Sequence, residues 1–331
     1  MRKFLIGMIL LLGVIFFLVR MAEVQTIGQT FRQGDWRYLS LAVILEILWI
    51  ANGAIIFWFI YRKLGLHEKI NTLLLASSGA YFANVVAPTA GVSGLAVFIS
   101  TARRRGYSTG RTTIAGLLYL ILDYTGFILI LGVGLFVLFR RDTLTIPEII
   151  ASGILVFFAL SLAGLLLIGY RSEEALTNVV SWIVSHINWV LKPFLKREAF
   201  EELHAREFAH DVSSGLQVLR QSPWQMTFPV ILSIISKSIL ITILLLIFLA
   251  FNIPFTLGTL IAAYSIGSLF WIVSPTPAGI GTVEGALTMA LNTMYIPMGS
   301  AVVITLAYRG ITFWVPLAFG GIALRMLENR Q

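Results

Sequence analysis

The chain reads as an all-α polytopic membrane protein with two inverted-topology repeats, each containing a proline-broken helical hairpin. Three observations lead there: long apolar runs, a low charge content, and a Pro-Thr break with following glycines that recurs at a shared offset. Of 331 residues, 58% are hydrophobic and 12% charged. A soluble domain carries about 25% charged residues, so lipid must solvate much of this surface.

Spans need about 20 apolar residues. Candidates are 4–21, 38–60, 113–139, 146–170, 228–250, 257–274 and 299–325. Arg2 and Lys3 precede the first run, but Arg20-Met21-Ala22-Glu23 offers no small-x-small cleavage site, so the run reads as a retained span rather than a signal peptide. Two stretches are harder. Residues 71–101 are too long for one straight helix and are broken at Ala87-Pro88-Thr89-Ala90-Gly91, and 279–296 follows Ser274-Pro275-Thr276-Pro277-Ala278-Gly279. Proline removes a donor and clashes with the preceding turn, so a helix entering either segment stops and restarts.

The positive-inside rule supports the break. Arg2 and Lys3 place the N-terminus inside, and Arg62, Lys63 and Lys69 are inside two spans later. A single crossing by 71–101 would put Arg103, Arg104, Arg105 and Arg111 outside; a hairpin turning at Pro88 keeps them inside. Arg140-Arg141 is the exception, offset by Asp142 and Glu148. Residues 171–226 form the one sizeable polar region, a cytoplasmic connector. Within 176–194, Thr177, Asn178, Ser181, Ser185, Asn188 and Lys192 share a helical face opposite Val180, Ile183, Ile187 and Leu191; Phe200, Leu203, Phe208, Val212, Leu216 and Leu219 form a second stripe. Both read as helices on the membrane surface. The alternative, a further span at 176–194, would strand the C-terminal basic residues outside. With the connector inside, Arg325 and Arg330 are cytoplasmic, as is the N-terminus.

Segments 72–89 and 259–276 match at seven of eighteen positions without a gap, including both Pro-Thr pairs. Gly91 and Gly94 parallel Gly279 and Gly281, and Asp123 lies 35 residues beyond Pro88 as Arg309 lies 34 beyond Pro275. Compositional likeness explains shared Leu and Ala, but not a break, a glycine cluster and a mid-span charge at one offset. The single membrane domain, 1–331, therefore divides into repeat 1 (about 38–139), the connector (about 171–226) and repeat 2 (about 228–325). Inverted repeats with discontinuous helices are typical of secondary transporters. Pro88, Gly91, Pro275, Pro277, Gly279 and Gly281 are the candidate hinges.

Five ionisable residues fall within the apolar segments: Glu46, Asp123, Lys237, Glu284 and Arg309. A charge at a helix centre costs about 2.5–3.5 kcal/mol on insertion scales, so these should face an interior or each other. Repeat-related positions have opposite sign, which suggests Glu46–Lys237 and Asp123–Arg309 pairs; plain interhelical glue is the competing role. Glu284 lies near a half-helix N-terminus, where a carboxylate suits the positive helix end, as a cap or as a proton or head-group ligand. Arg309 is the candidate for gripping an anion bidentately. Arg103, Arg104 and Arg105 either gather anionic lipid or simply set topology.

Other chemistries lack their residues. There is no cysteine, and His67, His186, His204 and His210 show no metal-ligand spacing. No hydrolase elbow, P-loop or zinc motif occurs, so neither cofactor, metal nor enzymatic activity is expected. The net charge of +8 suits cytoplasmic loops beside anionic lipid better than nucleic acid, because no basic stripe carries interleaved aromatics.

Ser274-Pro275-Thr276-Pro277-Ala278-Gly279-Ile280-Gly281-Thr282-Val283-Glu284, followed by Tyr308-Arg309-Gly310-Ile311-Thr312-Phe313-Trp314 and Pro316, resembles the lysylphosphatidylglycerol synthase transmembrane region family. These are flippase-like membrane domains, also grouped as an uncharacterised protein family. The likeness covers nearly the whole chain, with Asn84, Pro88 and Gly91 matching the first-half signature more loosely. The resemblance implies movement of phospholipid or aminoacylated phospholipid between leaflets, with Glu284 and Arg309 as motif positions. Ala90 and Ser93 stand where the family often has an arginine and an acidic residue, and no soluble aminoacyl-transfer domain follows Arg325-Met326, so a synthase is not expected. The expected function is lipid translocation in the inner (plasma) membrane, with membrane phospholipids as partners. The alternatives are a proton-coupled small-solute transporter and a non-transporting accessory subunit of an envelope-synthesis enzyme. The sequence leaves an oligomer open.

Overall fold

The apolar runs fold as α-helices because a backbone in hydrocarbon must satisfy its polar groups within the segment. A computed structural model describes residues 26–86, 92–195, 212–213, 226–274, 276 and 279–329. Beyond a short helical turn at 26–31, its helices are α1 (Trp36–Lys63), α2 (Ile70–Val86), α3 (Val92–Arg104), α4 (Thr109–Arg140), α5 (Ile146–Arg171), α6 (Glu173–Leu195), α7 (Thr227–Ala250), α8 (Leu257–Val273), α9 (Thr282–Thr293), α10 (Met298–Thr312) and α11 (Trp314–Asn329). Trp36–Lys63, Thr109–Arg140, Ile146–Arg171, Thr227–Ala250 and the α10–α11 stretch Met298–Asn329 are long and apolar enough to cross a membrane. This is a multi-pass helical membrane protein. The expected span 4–21, the hinge residues Pro88, Gly91, Pro275 and Pro277, and all of 200–219 except residues 212–213 lie outside the described residues.

Local sequence sets the helix ends. Asp35 caps α1 by accepting the Arg37 N–H at 2.9 Å, and Glu148 in the first turn of α5 accepts the Thr145 N–H at 2.7 Å. α9 starts after Gly281, whose φ of 76° is readily available only to glycine.

The break expected between 71 and 101 separates α2 from α3. The chain returns to its entry point: Tyr107 donates its hydroxyl to the His67 carbonyl at 3.0 Å, and Arg105 pairs with Glu68 at 3.0 Å. Arg103, Arg104 and Arg105 therefore share an end of the bundle with Arg62 and Lys69, as the charge rule requires. Arg103 and Arg104 are exposed there, whereas Arg105 has a protein partner. The Arg140-Arg141 exception has a structural role. The Arg141 guanidinium donates to the Thr256 hydroxyl at 3.0 Å, bracing the end of α4 against the start of α8.

The expected span 299–325 lies within the single spanning stretch Met298–Asn329. It divides into α10 and α11 at Phe313. Pro316 has no N–H to offer the Thr312 carbonyl one turn back. The Tyr81 hydroxyl of α2 donates to that carbonyl instead, at 2.9 Å.

α1 and α7 run antiparallel: the Asp35 N–H donates to the Ala250 carbonyl at 2.9 Å, and the Asn52 amide donates to the Leu232 carbonyl at 2.9 Å. The remaining packing is reciprocal, with α2 against α11 and α8 against α4. Gly320 on α11 meets Ser78 on α2, and Gly134 on α4 meets Ser265 on α8. Ser78 and Ser265 are matched positions of 72–89 and 259–276. One core gathers α4, α7, α8, α9 and α10, and a second joins α1 to α4. Leu176 is buried and Val180 packs against the second core, while Asn178 and Ser185 of α6 are exposed, as the amphipathic pattern predicts.

A Cβ at Gly320 would lie 2.6 Å from the Ser78 carbonyl oxygen and 2.9 Å from the Phe82 Cβ. Overpacking costs about 1–3 kcal/mol. Gly320→Ala should lower the melting temperature of the detergent-solubilised protein, and Gly320→Leu should prevent monodisperse elution. Gly321→Ala, with its nearest contact at 3.7 Å, should be close to neutral. Equal behaviour of the Gly320 and Gly321 variants would contradict this account of the α2–α11 contact.

Candidate functional site: a paired-charge cavity between the two halves

The broken ends of α2 and α8 meet across the molecule. The Tyr81 and Trp271 rings stack with centroids 6.3 Å apart and planes 13° from parallel, and Trp49 of α1 meets Tyr81 edge-on at 6.1 Å. This aromatic wall separates two small cavities, and Asp123 of α4 lines both. One, of ≈ 130 Å³, lies among α1 to α4 and is lined by Phe57, Phe98 and Tyr119 beyond the wall. The other, of ≈ 110 Å³, is lined by Lys237, Tyr264, Tyr308 and Arg309.

Four of the five expected charges assemble here, but not in the expected pairs. The Glu46–Lys237 and Asp123–Arg309 pairs are corrected: the Lys237 ammonium binds Asp123, and the Arg309 Nε donates to Glu284 at 2.7 Å. Asp123 and Lys237 project from α4 and α7, which pack together. Glu284 and Arg309 project from α9 and α10, consecutive helices that also pack. The cations are the more deeply held members, with side chains 7% and 4% exposed at Lys237 and Arg309 against 27% and 21% at Asp123 and Glu284. The Arg309 guanidinium also sits 4.6 Å from the Phe313 ring centroid, a cation–π contact.

Glu284 fills the expected cap and also pairs with Arg309. One carboxylate oxygen holds Arg309 and the other accepts the Gly281 N–H at 2.7 Å, closing the first turn of α9. Gly279, with φ of 69°, and Gly281 supply the backbone turn. The first break is closed from α2, where Asn84 Oδ1 accepts the Gly94 N–H at 2.6 Å. No group of three or more His, Cys, Asp or Glu suited to a metal occurs among the described residues.

Glu46 stands apart. It is fully buried, and neither carboxylate oxygen has a hydrogen-bond partner among the described residues. Removing an unpaired carboxyl forfeits no native bond. Glu46→Gln should therefore leave the melting temperature unchanged or raised, as read by differential scanning fluorimetry in detergent. A fall comparable with that of a broken ion pair would reveal a partner.

The aromatic wall escaped sequence analysis. Trp49 and Trp271 look like ordinary apolar residues of their helices, and their only signal is proximity to Glu46 and Pro275. The Trp49 indole N–H is buried without an acceptor among the described residues.

Comparison with known proteins places the chain among membrane proteins. A UPF0104 membrane protein from Methanocaldococcus jannaschii is 20% identical over 209 residues, covering 57% of this chain and 62% of the relative. The chain thus matches less than two thirds of that relative's length. No solved structure matches. The family described as lysylphosphatidylglycerol synthase TM region matches residues 4–320. With nearly its full length matched, the chain belongs to the lysylphosphatidylglycerol synthase TM region family.

Proposed function

We propose that this protein translocates phospholipid between leaflets, with Lys237 and Arg309 engaging the head-group phosphate. The carrying observation is that two deeply buried cations line one cavity where the broken ends of α2 and α8 meet. A guanidinium and an ammonium in low dielectric suit a phosphate. Their carboxylate partners, Asp123 and Glu284, keep the cluster neutral, which a membrane interior demands. Antiparallel α1 and α7, together with reciprocal α2–α11 and α8–α4 packing, support reading the halves as inverted repeats that rock about their breaks.

The protein acts as a transporter rather than an enzyme in this reading. It resides in the inner membrane with both termini cytoplasmic, so that Arg62, Lys69, Arg103 and Arg104 meet anionic lipid there. The test is leaflet exchange of fluorescent phospholipid in proteoliposomes, scored by dithionite access. Exchange well above that of protein-free vesicles supports the reading. Exchange at the protein-free rate, with confirmed insertion, refutes it.

A further inference from the structure

We infer that the cavity among α1 to α4 is an ammonium subsite, and that the preferred lipid is zwitterionic with its amine a short bridge from its phosphate. This deepens the translocation reading and rests on it.

Charge balance is the first argument. Lys237 and Arg309 are matched by Asp123 and Glu284. An anion entering this cluster gains two cations but also meets two carboxylates. A zwitterion can exchange partners, with phosphate taking Lys237 and Arg309 while ammonium takes Asp123. No charge is then left single in low dielectric.

The linings of the two cavities divide these tasks. Lys237 and Arg309 border the smaller cavity, and no Lys or Arg lines the larger one among the described residues. Beyond the shared Trp49, Tyr81 and Trp271, the larger cavity adds Phe57 and Tyr119 around Asp123. Aromatic faces beside a carboxylate are suited to an organic cation. Asp123 is shared by both cavities and its side chain is 27% exposed, so it is reachable. The orphaned Trp49 N–H on the dividing wall offers a further donor to a head-group oxygen.

Proximity sets the bridge length. Asp123 touches Lys237, so the subsites for ammonium and phosphate adjoin. An ethanolamine or choline phosphate spans adjoining subsites. A phosphatidylglycerol head group leaves the ammonium subsite empty.

The experiment compares acyl-labelled phosphatidylethanolamine, phosphatidylcholine and phosphatidylglycerol in proteoliposomes of the full chain. The ethanolamine or choline lipid should move at least about tenfold faster than the glycerol lipid, a factor corresponding to 1.4 kcal/mol. Trp49→Leu should narrow the lead of the zwitterionic lipid over the glycerol lipid about tenfold. Asp123→Asn should reverse the order, because Lys237 is then free for an anion. Glycerol lipid moving as fast as the zwitterions in the unmodified protein would overturn the subsite while leaving lipid translocation intact. Movement of no lipid would overturn both. The comparison in the unmodified protein decides even where a variant fails to fold.

Discussion

Arg309→Ala should reduce phospholipid exchange in proteoliposomes to the protein-free rate while the protein still inserts. The variant loses the guanidinium that lines the smaller cavity, the 2.7 Å bond to Glu284 and the contact with Phe313. Removing one member of a buried ion pair costs about 3–5 kcal/mol, because the other charge remains. Glu284 cannot simply turn away, since its second oxygen holds the Gly281 N–H. Adding Glu284→Gln should therefore recover much of the stability. Glutamine can serve the same capping position without a charge. Exchange should stay absent in the double variant, separating the cation's work on substrate from its work on the fold. Thermal unfolding and dithionite-scored exchange on the same preparations supply both readouts. Retained exchange in Arg309→Ala would remove Arg309 from the site, and equal instability of the single and double variants would deny the coupling.

Lys237→Met should be the second damaging change. It leaves Asp123 without its ammonium on α7, at a cost again of about 3–5 kcal/mol. Asp123→Asn combined with Lys237→Met removes both charges and should be more stable than Lys237→Met alone. The coupling should fall within the 0.5–3 kcal/mol range usual for residues in contact. The neutral double variant should fold without moving lipid. A thermodynamic cycle on the two singles and the double measures the coupling, and additive effects would contradict the pair.

The two strong predictions concern pairs that sequence symmetry mismatched. Opposite signs at repeat-related positions suggested that Glu46 would meet Lys237 and Asp123 would meet Arg309. Equivalence under a two-fold does not imply contact across it. Contact depends on which helices cross and which turn faces inward, and neither is written in hydropathy. The features legible beforehand were those with a one-dimensional signature. Apolar length gave the spans at 38–60, 113–139, 146–170, 228–250 and 299–325, though 257–274 forms a helix of only 17 residues, and basic residues with a proline gave the α2–α3 hairpin. Spacing from that proline picked out Asp123 and Arg309. The break at Phe313 was missed because α10 and α11 form one continuous apolar run whose only marker is Pro316. The wall of Trp49, Tyr81 and Trp271 was missed because an aromatic residue in a lipid-solvated helix resembles any other until its neighbours are known.

The bond from Tyr81 to Thr312 makes the first hairpin a latch on the last helix. Proline has stripped that carbonyl of its own donor, so a hydroxyl from the opposite half completes the turn. If α2 withdraws, the carbonyl is left dry at a cost of about 1–3 kcal/mol, unless water enters. The position of α2 and the junction of α10 with α11 are thereby tied together by one oxygen atom, a few residues from Arg309.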